Sequence, residues 1–183
     1  MISPLFSQDC FKVICLFCLS PGSRFNRKEI KEKVKLNNIP LDKSLSILIN
    51  SGIIKREKNY YSINFENDYS MRLLEICTKQ YKQLKELPLD IFYLLSDLVY
   101  SLSMLKDVEV ILFGSYAKLI YKEKSDIDIA ILYGKKKPDV RIEKLEKVYG
   151  KVVELHYFEK KRFYLNKKDP LVKSILKDGT KLI

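Results

Sequence analysis

Along the first third of the chain, apolar residues recur at helical spacing in three runs and then change to strand-like pairs. Phe11-Lys-Val-Ile-Cys-Leu-Phe-Cys-Leu19 predicts a buried helix from about Ser7 to Leu19, with Ser7 as its cap and Pro21-Gly22-Ser23 as its break. Asn26 is placed to cap a second helix, Arg27 to Val34, in which Ile30 and Val34 share a face. After the turn Lys35 to Pro40, Leu41, Leu45, Leu48 and Ile49 recur at steps of three and four, predicting a third helix that stops at Ser51-Gly52. Ile53 to Arg56 and Tyr60 to Ile63 then flank Glu57-Lys-Asn59, which reads as two short strands around a tight turn.

Residues 67 to 107 carry two helical patterns separated by Leu87-Pro88. Leu73, Ile76, Gln80 and Leu84 line one face of the first, and Phe92, Leu95, Val99 and Leu102 one face of the second. Residues 108 to 183 alternate strand and helix: strands at Val108 to Phe113, Ile127 to Tyr133 and Lys151 to Tyr157, with a helix from about Val140 to Tyr149 before the last. The pattern predicts an α+β chain in three parts. These are a helix-rich N-terminal domain over 1–66, a helical connector over 67–107, and a small mixed β-sheet domain with flanking helices over 108–183. There is no internal repeat, and Lys135-Lys-Lys137 reads as a solvated loop.

The chain has 183 residues, 46% of them hydrophobic, which is enough for one sizeable core or two small ones. Its net charge of +11, from 34 Lys and Arg against 23 Asp and Glu, suits polyanionic partners, although a generally Lys-rich proteome would give the same surplus. Cys10, Cys15, Cys18 and Cys77 do not form a disulfide framework, so a reducing, cytoplasmic setting is expected. Cys15 and Cys18 make a CxxC, but zinc would need two more soft ligands nearby. The one histidine, His156, is distant in sequence, and the pair reads as part of a buried helix. The same run is too short to span a bilayer, and Asp9 stands where a signal peptide would be basic, so no membrane association is expected.

The run Ser44-Leu-Ser-Ile-Leu-Ile-Asn-Ser-Gly-Ile-Ile-Lys-Arg-Glu-Lys-Asn-Tyr-Tyr-Ser-Ile63 resembles the recognition helix and wing of winged helix-turn-helix regulators. That resemblance implies a third helix entering the major groove of duplex DNA, with Lys43, Ser44, Ser46 and Asn50 near the DNA and Lys55, Arg56 and Lys58 on phosphates. Residues 1–66 hold eleven basic against six acidic residues, which agrees mildly. A winged helix used for protein contacts or dimerisation is the alternative, and a homodimer is compatible with either.

The chemistry-bearing stretch is Phe113-Gly-Ser-Tyr-Ala-Lys118 followed by Ser125-Asp-Ile-Asp-Ile-Ala130. A strand that ends in Gly-Ser and opens a short helix leaves free backbone amides beside a small hydroxyl side chain, which suits a triphosphate. Asp126 and Asp128 stand two apart on a strand and so point to one face, while Ile127 and Ile129 point to the core. Two carboxylates on one face repel unless a cation lies between them, and magnesium accepts one or two carboxylates together with substrate phosphates. In a two-ion arrangement, one ion would activate the attacking hydroxyl and the other would steady the triphosphate and the leaving pyrophosphate.

The combination resembles the Gly-Ser...Asp-x-Asp signature of minimal nucleotidyltransferases of the DNA polymerase beta superfamily, a group that includes antibiotic-modifying and antitoxin enzymes. The resemblance covers about 108 to 183, including the tail Asp169-Pro-Leu-Val-Lys-Ser-Ile-Leu-Lys-Asp-Gly179. It implies transfer of a nucleoside monophosphate, usually from ATP, to an acceptor hydroxyl on a protein or small molecule, with Gly114 and Ser115 on phosphate and Asp126 and Asp128 on two magnesium ions. Members commonly have a second glycine and basic residues after Gly-Ser, where this chain has Tyr116, Lys118 and Leu119; Lys118 remains a candidate phosphate contact. The third carboxylate of the family matches Glu154 by position, and His156 shares its strand face. Either is a candidate base, and packing or solvation roles for both remain open.

The expected protein is thus a magnesium-dependent nucleotidyltransferase joined to a DNA-binding winged helix. The alternatives are a regulator whose transferase domain has lost catalysis and senses a nucleotide or mediates dimerisation, and an antitoxin that modifies a partner toxin while repressing their promoter.

Overall fold

The computed structural model describes residues 7–84 and 87–183. The chain divides into two compact units, Met1–Tyr93 and Leu94–Ile183, the division falling inside a helix. In the first unit α1 (Gln8–Leu19) starts on Ser7, whose side chain accepts from the Cys10 N–H, and Cys10 and the run Lys12 to Cys18 of α1 are buried. The capping box at α2 (Arg27–Val34) is complete: Asn26 accepts from the Glu29 N–H, and the Glu29 carboxylate accepts from the Asn26 N–H. α3 (Asn38–Asn50) begins inside the stretch expected to be a turn, because Pro40 falls in the first helical turn, where a missing N–H breaks no intrahelical bond.

The expected hairpin forms from β2 (Ile54–Glu57) and β3 (Tyr60–Ile63), with Lys58 in a left-handed conformation at its tip. A two-residue strand, β1 (Phe25–Asn26), adds to β3, giving an antiparallel sheet in the order β1-β3-β2. α1 packs against α2, α3 and α4 (Asp68–Gln83). On α4 the buried positions are Ser70 and Cys77, whereas Ile76, expected on the buried face, is 51% exposed. The Ser70 hydroxyl donates to the Ile53 carbonyl, and the Cys15 thiol of α1 donates to Cys77 Sγ at 3.5 Å. Contact with Cys77 and burial push the Cys15 and Cys18 thiols far above their ordinary range, as befits packed, protonated cysteines. α5 (Leu89–Leu102) contains the boundary between the units.

The second unit is an α+β arrangement around a small mixed sheet. Its strands are β4 (Val108–Phe113), β5 (Ile127–Tyr133), β6 (Val153–Glu159) and β7 (Thr180–Lys181), in the order β6-β5-β4-β7. β5 and β6 run parallel and the other pairs antiparallel. α6 (Gly114–Ala117) follows β4 directly, and α7 (Glu143–Tyr149) makes the crossover that a parallel pair requires. α7 ends on Gly150 in the left-handed conformation, and its Glu146 carboxylate accepts from the Val153 N–H, which fixes where β6 starts. The Tyr149 hydroxyl donates to Asp97 at 2.6 Å, tying α7 to α5.

α8 (Lys160–Leu165) and α9 (Pro170–Asp178) complete the unit, α9 capped by Asp169. Phe163, Val172 and Ile175 from these helices pack on Ile111, Phe113, Ala130 and Leu132, covering one face of the sheet. Val110, Leu112, Ile127, Ile129 and Ile131 are buried on the opposite face. No helix among the described residues is long and apolar enough to cross a membrane.

Candidate functional site

Strand alternation on β5 puts Asp128, Ala130 and Leu132 on the face that α8 and α9 cover. Asp128 therefore stands at the end of that hydrophobic cluster, with its side chain only 25% exposed. Three neighbours converge on it through the sheet register. Phe113 is its partner on β4, so the turn that begins at Gly114 starts beside the carboxylate. Glu154 is its partner on β6, and His156 comes two residues later on the same face.

The closeness of the turn explains its glycine. Gly114 has φ +70°, a conformation that side chains with a Cβ rarely adopt, and a methyl group there would overlap the Asp128 carboxylate. The Gly-Ser turn and the acid pair, eleven residues apart in sequence, are thus one steric unit.

The electrostatics of this end of the sheet are unrelieved. Burial raises the Asp128 carboxyl above its ordinary value, and the Glu154 carboxylate raises it further; His156 opposes the shift and Asp126 adds slightly to it. His156 Nε2 lies 3.6 Å from Glu154 Oε2 and 3.9 Å from Asp128 Oδ1, beyond hydrogen-bonding range. That nitrogen is buried and has no hydrogen-bond partner among the described residues. The Phe113 ring packs edge-on to the imidazole, with centroids 5.1 Å apart. Ligand atoms of Asp128, Glu154 and His156 all lie within 4.8 Å of one another, an arrangement able to hold a cation. Asp126, just before β5 and exposed, is not a member of that group.

The other residues expected at the site are distributed as follows. Ser115 is half-buried in α6. Lys118 is engaged by α9, its Nζ 3.2 Å from Asp178 and 3.5 Å from the Ser174 hydroxyl. Leu119 takes a left-handed conformation with φ +59°. Tyr116 is buried and stacks on Tyr121 at 4.4 Å. Sequence reasoning did not anticipate how near His156 comes to Asp128; the missing signal was the β5–β6 register.

In the first unit, Lys43, Ser46 and Asn50 are exposed at spacings of three and four along α3 and so share a face. Ser44 lies on the opposite side and is 2% exposed, which removes its hydroxyl from any groove. In the hairpin, Lys55 pairs with Glu66 at 3.0 Å. Arg56 lies over the Tyr61 ring and donates to the Lys58 carbonyl. Lys58 itself is exposed.

Residues 95–183 match the family model of the nucleotidyltransferase domain. The match supports the nucleotidyltransferase superfamily for this part of the chain, and with it nucleotidyl transfer from a nucleoside triphosphate as the general chemistry, typically with a divalent metal ion. No curated protein and no solved structure matches the chain.

Proposed function

We propose, from a nucleotidyltransferase domain over residues 95–183, that this protein transfers a nucleoside monophosphate, AMP from ATP, to a hydroxyl of a protein or small molecule. The observation that carries the reading is the register that sets Gly114 against Asp128 on one side and Glu154 beside it on the other. One end of the sheet then offers a glycine-serine turn and a cluster of carboxylates together. Asp128 and Glu154, with Asp126 at the approach, would hold magnesium, which accepts carboxylates together with substrate phosphates.

When bound, the metal would supply charge neutralisation for the triphosphate and its leaving pyrophosphate. The Ser115 hydroxyl and the backbone of the turn would orient the phosphates. Lys118 would reach them only by leaving Asp178, and Glu154 would take the proton of the acceptor hydroxyl. Incubation with labelled ATP and magnesium, with and without lysate of the source organism, tests this. The expected result is label on a discrete acceptor that vanishes in Asp126→Asn plus Asp128→Asn. Equal labelling by the two proteins would overturn the site.

We further infer that the first unit is a winged helix that binds duplex DNA through Lys43, Ser46 and Asn50 on α3 and through Lys55, Arg56 and Lys58 in the hairpin. The order α1-β1-α2-α3-β2-β3 and the exposed α3 face support this. A second reading, a regulator or antitoxin whose transferase domain senses a nucleotide or binds a partner without catalysis, draws on the altered turn. Leu119 is held left-handed, and the one basic side chain of the turn is paired with Asp178. Retained DNA binding with no nucleotide transfer to any acceptor would select it.

A further inference from the structure

We propose that His156 is itself a metal ligand, and that its imidazole turns this site from a magnesium site into one that prefers a first-row transition-metal dication such as manganese over magnesium. The inference rests on the reading of Asp128 and Glu154 as cation-binding carboxylates.

Three observations converge. First, His156 Nε2 is buried without a hydrogen-bond partner among the described residues, in a place where it faces two carboxylates. An orphaned buried nitrogen is costly and calls for a partner. Second, the separations of 3.6 and 3.9 Å are too long for a charge-assisted hydrogen bond, which closes to about 2.7–2.9 Å. They match the spacing of ligand atoms around one shared ion: ligands each about 2.1 Å from a cation stand roughly 3–4 Å from one another. Third, the sheet fixes the group. Asp128 and Glu154 are register partners, His156 follows on the same face, and Phe113 packs against the ring.

The donor set decides the ion. Magnesium takes oxygen ligands and gives up water reluctantly, so an imidazole adds little to its affinity. Manganese accepts carboxylates and triphosphate oxygens as magnesium does, but it also binds imidazole nitrogen. A site of two carboxylates and one imidazole therefore gains more for manganese than for magnesium. Cobalt and zinc would bind the same donors more tightly still, so manganese serves as the probe and magnesium as its competitor.

The sequence makes the test unusually clean, because His156 is the only histidine in the chain. Untagged full-length protein is loaded with one equivalent of Mn(II), without nucleotide, and examined by electron spin-echo envelope modulation. Nitrogen coupling is expected. Growth on 15N-histidine should convert the 14N pattern to a 15N pattern, which reports the ligand with no mutation at all. In parallel, competition titrations of Mn(II) against Mg(II) should show the preference for manganese falling about tenfold or more in His156→Gln.

Manganese that binds without histidine coupling, and with equal affinity in wild type and His156→Gln while Asp128→Asn abolishes it, would overturn the His156 proposal and leave the carboxylate site standing. If manganese fails to bind even with ATP present, the proposal falls, and with it the metal-dependent reading of the site. Histidine coupling in a protein that transfers no nucleotide would uphold the ligand and count only against the catalytic reading.

Discussion

At the scale of single residues, the site depends on a steric arrangement as much as on charge. Gly114→Ala would place a methyl group into the Asp128 carboxylate at a left-handed backbone position. The strain alone should cost about 1–2 kcal/mol in a denaturant melt, and the displaced carboxylate should lower Mn(II) affinity in titration as well. Leu119 shows the converse: it is half exposed at φ +59°, so Leu119→Gly should relieve strain at little cost in burial and raise stability by about 0.5–1 kcal/mol in the same melt. Asp128 gives a pH signature in metal-free protein. Its folded-state carboxyl is raised above the unfolded value, so between the two the folded state binds more protons, and stability falls as pH rises through that window, just above the ordinary carboxylate range. Asp128→Asn should therefore stabilise the apo fold at neutral pH and lose that advantage below pH about 4, while added divalent ion reverses the ranking. Thermal melts with chelator and with Mn(II) read all of these. Much of this end of the sheet was visible in the sequence, because two-residue alternation is local: it put Asp128 on the face opposite Ile127 and Ile129 and placed Glu154 and His156 together. The distance from His156 to Asp128 was not visible, since it depends on which residue of β6 faces which residue of β5. The burial of Ser44 was missed for a related reason, as a small polar residue says little about which side of a helix it takes.

At the scale of elements, those with local signals were legible and those made by distant pairing were not. Ser7, Asn26 and Ser51-Gly52 marked helix ends, and the caps are present at the first two. β1 and β7 are two residues each and exist through their partners, β3 and β4, so no run of apolar residues announces them. α4 shows how periodicity misleads. Leu73, Ile76, Gln80 and Leu84 make an acceptable stripe, but the surface offered by α1 at Cys15 selects the face with Cys77, and the Ile53 carbonyl selects Ser70. The capping box permits a direct test: Asn26→Ala removes the side-chain acceptor for the Glu29 N–H and should cost about 0.5–2 kcal/mol, measured by urea unfolding. An unchanged midpoint would mean that β1 pairing, rather than the cap, holds the start of α2.

At the scale of the whole molecule, the basic surplus is the property that neither unit's fold explains. A net charge of +11 attracts any polyanion, so DNA binding as such would be weak evidence for a winged helix; position dependence is what discriminates. Lys43 on α3 and Lys58 at the hairpin tip are exposed and sit on the two elements that such a domain lays against DNA. Lys135 and Lys136 carry equal charge and are exposed in the other unit. Duplex affinity of the full chain, measured across salt concentrations, should give a log–log slope that shallows by about 0.9 for each phosphate contact removed. Lys43→Gln plus Lys58→Gln should therefore reduce the slope by nearly two and weaken binding at every sequence, while Lys135→Gln plus Lys136→Gln leaves it nearly unchanged. Asp126→Asn plus Asp128→Asn should bind DNA nearly as wild type does, because the substitution touches only the proposed transferase site. If the two lysine pairs proved equivalent, the attraction would be general electrostatics, and the first unit would be better assigned to protein contacts.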